Sequence, residues 1–417
     1  MSGSFGQLVQ VIAAIVFAIG FFVLAYSAPE KRVLAILIIL IPIQLIDSKF
    51  GTLNVFLTYL IAAAFVLQGR LKAAPLLWSV FLLLLAYAIS FSFSHPAART
   101  WHVLYMIGFV SNILLFYLVY NYIDRTGDWK LIFRSLIGIN VLVVIACLIE
   151  IALGDNQIQL FGIRDWTLGS KRAYQGRVVG PFSSTHTTAD YLVAQCMLLG
   201  FWLAKRASPY PRLIGLLLAL NFLCLVATGD RGGFVGLTIG GIIFLYLFRR
   251  DIGGARVAKF SILGVVLFAA TSFAVVEYTQ FGRLYERLAA TEFEGEARPR
   301  TIGFNRGVRW FLEKPIIGRG PRLNVSTKAR QIEGIPYIGA HPHNLPLTIL
   351  VTTGVVGLLA WLIFFISALI PMFRSLRLEP PDDPALSGMP RLGLLVIFLF
   401  LLGEMRIEFL RVDYQDY

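Results

Sequence analysis

Apolar runs long enough to cross a bilayer follow one another through the whole chain. They fall at about residues 8–27, 33–47, 53–68, 75–93, 102–121, 131–153, 188–204, 212–228, 233–248, 258–276, 345–372 and 391–410, roughly twelve in all. A helix needs about 20 apolar residues to span some 30 Å of hydrocarbon. The expected fold is therefore all-α: a polytopic transmembrane bundle of about twelve helices. Composition excludes the alternative of a soluble globule, because 57% of the 417 residues are hydrophobic and only 15% are charged. Residues 1–7 carry no Lys or Arg, so the first run lacks the charged flank of a cleavable signal peptide and is expected to stay as a membrane helix. Cys147, Cys196 and Cys224 all fall inside predicted spans, which argues against a disulfide scaffold or a metal cluster.

Positive charge orients the spans, since cytoplasmic loops retain Lys and Arg. Lys31, Arg32, Arg70, Lys72, Arg125, Lys130, Lys205, Arg206, Arg212, Arg249, Arg250, Arg256, Lys259, Arg374, Arg377 and Arg391 occupy alternate loops and define the inner side. The opposite short loops hold Lys49, Arg99 and Arg231. The two long loops, about 154–187 and 277–344, then lie on the outer side, and both termini are expected there as well. Three regions follow: helices and a loop over 1–276, a large helical loop over 277–344, and two final helices with a tail over 345–417.

The loop over 277–344 holds eleven Lys and Arg against seven Glu, a balance of 11 − 7 = +4. Long loops translocate regardless of charge, so a basic loop on the outer side is either solvated near anionic headgroups or gathers arginines to hold phosphate. Within it, Thr301 to Lys314 reads as an amphipathic helix, with Ile302, Val308, Phe311 and Leu312 on its apolar side and Pro315 ending it. Arg306 and Trp310, four apart, share a face. Gly318-Arg319-Gly320-Pro321 reads as a turn.

His343 and Asn344 stand where this loop enters an apolar helix. Asn344 is a good N-cap, and Pro346 suits the first turn. His343 then lies beside the positive end of a helix dipole, whose field favours the neutral ring that a general base must be. A capping or headgroup-facing histidine is the structural alternative. Gly354 and Gly357 follow at His-Asn-x9-Gly-x-x-Gly, where small residues also let helices approach closely in lipid. Arg231 sits in Thr228-Gly229-Asp230-Arg231-Gly232-Gly233, a turn too short to leave the membrane surface. A guanidinium at that depth requires an anion. Asp230 could supply it, or a ligand whose oxygens match the fork of an arginine.

These elements together resemble the O-antigen ligase and polymerase superfamily, membrane glycosyltransferases that act on undecaprenyl-diphosphate-linked sugars. The His343-Asn344-x9-Gly354-x-x-Gly357 spacing is similar to the pattern of the ligases. Arg306-x3-Trp310, with Pro315, Gly318 and Gly320, resembles the family's large periplasmic loop. Thr-Gly-Asp-Arg231-Gly-Gly resembles its short Arg-Gly turn, with Asp230 where Ser or Thr is expected. Arg177-x-x-Gly180-Pro181-Phe182, followed by Thr185, His186 and Ala189, resembles an earlier Arg-x-x-Gly-x-Phe element, with His186 where Asn is common. The resemblance covers about residues 177 to 357.

It implies transfer of a glycan from undecaprenyl diphosphate to a sugar hydroxyl of lipid A-core, at the periplasmic face of a bacterial inner membrane. His343 would take the acceptor proton, while Arg231 and Arg306 clamp the diphosphate, with Arg177 as a third candidate and Asn344, Trp310, Gly354 and Gly357 in support. A lipid diphosphate is already a good leaving group, so no nucleotide, cofactor or metal is expected, and no dense Asp/Glu/His cluster offers a metal site. Direct attack would invert the anomeric configuration. The expected partners are the lipid-linked donor, the lipid A-core acceptor and the bilayer, with no nucleic acid. An O-antigen polymerase and a protein O-oligosaccharyltransferase would share this chemistry. A secondary transporter or lipid flippase would instead want interrupted helices in paired halves and buried mid-membrane charge, and no internal repeat is visible; most charges lie at span ends, with Glu404, Arg406 and Glu408 the exceptions.

Overall fold

Backbone polar groups inside hydrocarbon must bond within their own segment, and the apolar runs accordingly form helices. The structure is a computed structural model that describes residues 18–41, 47–48, 51–72, 74–94, 96, 99–153, 157–159, 167–169, 177–182, 185–206, 210–253, 264, 266, 270, 273, 293–321, 344–377, 383 and 386–404. Helix α1 covers Ala18–Ser27. It is followed by α2 (Glu30–Leu40), α3 (Leu53–Leu67), α4 (Leu77–Ser92), α5 (Arg99–Thr126) and α6 (Trp129–Leu153). Next come α7 (Thr185–Ala204), α8 (Pro211–Thr228), α9 (Arg231–Ile252), α10 (Phe293–Glu313), α11 (Leu345–Ser375) and α12 (Met389–Glu404). Two short antiparallel ladders pair Asp47–Ser48 with Gly51–Thr52 and Gln157–Gln159 with Thr167–Gly169. Among the described residues, six segments are long and apolar enough to cross a membrane: His102–Thr126, α6, α8, α9, α11 and Leu386–Gly403. The protein is a multi-pass helical membrane protein. The expected run at 258–276 lies largely outside the described residues, as do Arg406 and Glu408.

The chain divides into two compact units, Met1–Pro75 with Val103–Ile139, and Leu76–His102 with Asn140–Tyr417. In the first, Glu30 at the start of α2 pairs with Arg125 at the end of α5 and lies 3.8 Å from Arg70 just past α3. The backbone N–H of Lys72 donates to Asn121 Oδ1 at 2.8 Å. Loops that the charge pattern assigned to one side thus meet at one end of these helices.

In the second unit, α7 packs against α8, α9 and α12. Its Thr185, Thr188 and Gln195 are buried, so these polar side chains face protein rather than lipid. Asp251 at the end of α9 binds Lys205 just past α7 at 2.7 Å, and Arg391 in α12 lies 3.4 Å away. A Cβ at Gly393 would lie 3.3 Å from Met372 Cε near the end of α11. The ends of α7, α9 and α11 therefore share one end of the unit with the start of α12. The starts of α7, α9 and α11, with Thr185, Arg231 and Leu345, lie at the opposite end.

Helix α11 is interrupted. Asn344 caps it as the sequence predicts, its Oδ1 accepting from Leu347 N at 3.0 Å. Nine residues into the helix, about 14 Å along the axis at 1.5 Å per residue, Gly354 takes φ 67° and ψ −167°, a conformation open essentially to glycine alone. The break releases the carbonyls of Val351 and Thr352 and the amides of Val355 and Val356. The turn after α10 takes them up: Arg319 N donates to Val351 O at 2.9 Å and Gly320 N to Thr352 O at 3.0 Å, while Val355 N donates to Pro315 O at 2.9 Å and Val356 N to Ile316 O at 3.3 Å. Ser90 Oγ of α4 adds a 2.6 Å bond to Thr352 O. A loop segment is thereby threaded into a helix by backbone bonds.

The glycines of both partners are what make this possible. A Cβ at position 318 would lie 2.2 Å from Thr352 O, and one at 354 would lie 2.2 Å from Ile316 O. At Gly320 (φ 122°) it would meet the buried His102 ring at 2.4 Å. Gly357 accommodates Thr353, whose hydroxyl oxygen would stand 1.7 Å from a Cβ there. The reading of Gly354 as a small residue for helix approach is corrected: its role is to break α11 and admit the loop. The loop helix also departs from expectation. It begins at Phe293 rather than Thr301, and it buries Val308, Trp310 and Phe311 against Leu347 and Val351, leaving Leu312 exposed.

Candidate functional site

At the end of the second unit where α7, α9 and α11 begin, a short strap holds the most polar buried group of this unit. The chain at 177–179 is tied down by three bonds before it enters α7. Val178 N donates to Ala227 O at 3.0 Å, Val179 N to Glu150 Oε2 at 2.7 Å, and Arg177 Nε to Thr228 O at 2.8 Å. Thr188 closes the strap from α7 with a bond to Val179 O. Glu150, fully buried in α6, is a positioning residue that the sequence reading did not single out. Its signal is a carboxylate near the end of an apolar span, which is costly unless bonded.

Gly229 ends α8 in the left-handed region (φ 58°), and Asp230 then caps α9 by accepting from Gly233 N at 2.7 Å. Gly233 is close-packed, since a Cβ there would stand 2.9 Å from Ala189. Asp230 has a second set of partners. Its Oδ1 lies 2.5 Å from Nδ1 of His186 and 4.0 Å from the Arg177 guanidinium. The carboxylate side chain is 4% exposed and that of Arg177 13%, whereas the His186 side chain is 33% exposed. The anion expected to answer Arg231 is thus also the hub for Arg177 and His186. Arg231, the next residue, opens α9 and is partly buried.

The structure therefore brings Arg177, His186 and Asp230 into contact with Arg231 adjoining in the chain, although 177 and 230 are far apart in sequence. Arg306 lies elsewhere on α10, half-buried, on a helix anchored to the first turns of α11 through Val308, Trp310 and Phe311. Among the described residues no hydrogen bond or ion pair joins Arg306 to the Arg177–Asp230 group. Asn344, Gly354 and Gly357 stand on α11 as above. His343 lies outside the described residues. The three cysteines are free thiols buried in α6, α7 and α8.

The described residues form a helical membrane bundle with an arginine-bearing turn, a capped helix start and a loop threaded into a broken helix. Residues 191–362 match the sequence model of a family described as O-antigen ligase. A stretch of 156 residues is 30% identical to the "Putative polysaccharide ligase" of Rickettsia conorii. It covers 35% of this chain and 36% of that protein. The family match begins after Arg177 and His186, so the strap stands outside it, while Arg231, Arg306, Asn344, Gly354 and Gly357 stand within.

Proposed function

We propose that this protein is an O-antigen ligase that transfers a glycan from undecaprenyl diphosphate to a sugar hydroxyl of lipid A-core, at the periplasmic face of a bacterial inner membrane. The observation that carries the reading is that the starts of α9 and α11 share one end of the second unit. Arg231 and Asn344, the residue following His343, thereby stand at the same end of the helices.

In this reading His343 removes the acceptor proton as the hydroxyl oxygen attacks the anomeric carbon. The bond from that carbon to the phosphate oxygen breaks on the opposite side, so the configuration inverts. Arg231 and Arg306, with Arg177 as a third contributor, take up the charge on the departing diphosphate. Hydrogen bonds to charged groups contribute about 1.5–3 kcal/mol each, so two or three of them in a poorly hydrated pocket supply several factors of ten in rate. A good leaving group and a positioned base leave no step that needs ATP or a metal ion.

The test is transfer by purified protein in detergent from lipid-linked glycan to lipid A-core, without ATP or an ion gradient. His343→Ala is expected to lose about 100-fold or more, the usual contribution of a general base. Near wild-type transfer by that variant would remove the base assignment. Loss of wild-type transfer on adding a chelator, restored by a divalent ion, would overturn the metal-free mechanism.

A further inference from the structure

The His186–Asp230 pair is not needed for the mechanism above, yet it has the form of a working group rather than a packing contact. A carboxylate can only accept, so Nδ1 of His186 carries the proton in its 2.5 Å bond to Asp230. This bond fixes the ring and leaves Nε2 as its remaining polar atom on a side chain that is one-third exposed. Among the described residues, Asp230 is the ring's hydrogen-bond partner. Asp230 itself is held from a second direction by the N–H of Gly233 and lies within 4.0 Å of Arg177. The pair is therefore rigid on one side and open on the other. To donate from Nε2 the ring must carry a proton on both nitrogens, and Asp230 then stands behind its charge.

We propose that His186, oriented by Asp230, donates through Nε2 to a phosphate oxygen of the polyprenyl-diphosphate donor, forming with Arg177 a second anion contact beside that of Arg231. The inference rests on the functional reading above, because it takes the donor to be a lipid diphosphate. The ligand chemistry is an anionic phosphate ester, and the site is a titratable one. Asp230 of the α8–α9 turn lies against the ring and Arg177 of the strap lies 4.0 Å from that carboxylate, while Arg231 follows Asp230 in the chain and Asp190 stands one helical turn along α7.

The experiment measures two things on the full-length protein in detergent: binding of undecaprenyl diphosphate alone, and donor KM and kcat in the transfer assay, each across about pH 5–8, where imidazoles titrate. His186→Ala is expected to weaken binding and raise donor KM about tenfold, equivalent to about 1.4 kcal/mol, with kcat changed far less. His186→Asn keeps a donor that cannot titrate. It is expected to recover most of the affinity and to bind with the same strength across that pH range. Asp230→Asn removes the charge and leaves a single acceptor oxygen, so it can keep the cap to Gly233 N or the bond from Nδ1–H but not both, and it is expected to raise donor KM. Wild-type KM and pH profile in His186→Ala, with transfer intact, would overturn this proposal and leave the ligase reading standing. A wild type that binds undecaprenyl diphosphate with the predicted His186 dependence but transfers nothing would sink the ligase reading alone. A wild type that binds none would sink both.

Discussion

The second unit carries one cation-rich aspartate at each end of α9, and the two are built differently. Asp251 at the helix end is matched on both oxygens, by Lys205 at 2.7 Å and Arg391 at 3.4 Å. Lys205 also donates to Ser387 at 3.1 Å, while Arg391 donates to Leu247 O at 2.9 Å and lies over the Phe248 ring. These bonds close α7, α9 and α12 together. Asp230 at the helix start is more deeply buried, yet it supports a histidine with a ring nitrogen to spare, beside a strap that brings in an arginine from about fifty residues earlier. The same residue types produce a lock at one end and a presented group at the other. What separates them is the exposure of the partner: the His186 side chain is 33% exposed, that of Lys205 4%.

The contrast can be broken or sharpened by substitution. The largest effect is expected from Gly354→Ala, at the presenting end. A Cβ there would sit 2.2 Å from Ile316 O in a backbone conformation that other residues avoid. The Pro315–Gly320 turn should be expelled from α11, with transfer falling about 100-fold, the scale of a displacement near 1 Å in a catalytic group. Faster tryptic cleavage at Arg319 in the folded protein would report the released turn. Unchanged cleavage and activity would show that the break is not held by the loop.

Next is Arg231→Lys, which keeps the charge and loses the bidentate fork. Transfer is expected to fall by about ten- to a hundred-fold, corresponding to about 1.4–2.7 kcal/mol of transition-state stabilisation, with the thermal melt in detergent unchanged. A melt lowered as much as the rate would place Arg231 with the locks. The smallest effect on chemistry is expected at the opposite end. Asp251→Asn should destabilise the fold by about 1.5–3 kcal/mol through weakened charged bonds, read as a lower melting temperature, while transfer per folded molecule stays within about twofold. A large loss of transfer at full stability would show that the two ends are coupled.

Much of this was legible from residue order. The helix positions followed from apolar length, and Asn344 and Pro346 marked the start of α11 because capping is local chemistry within a few residues. The same-side grouping of Arg70 and Arg125, and of Lys205 and Arg391, was readable from loop charge. The function of Gly354 was not. Its spacing was visible, but a glycine inside an apolar run looks alike whether it contacts a helix, a lipid or an incoming loop. The partner of Asp230 was also hidden, since the nearest cation in sequence is Arg231 while the bonds in space reach His186 and Arg177.

Taken alone, the order of residues determined that this chain lives in a membrane as a helical bundle, where most of its helices lie, and which motifs resemble those of the O-antigen ligase superfamily. These are short-range matters, governed by hydrophobic length and by groups within one helical turn. Only the tertiary structure decided that the loop after α10 completes the broken α11, and that Arg177, His186 and Asp230 form one cluster. Both depend on backbone and carboxylate oxygens left unsatisfied by their own segments, and in a low-dielectric interior such atoms are answered by whichever donors the packing brings near.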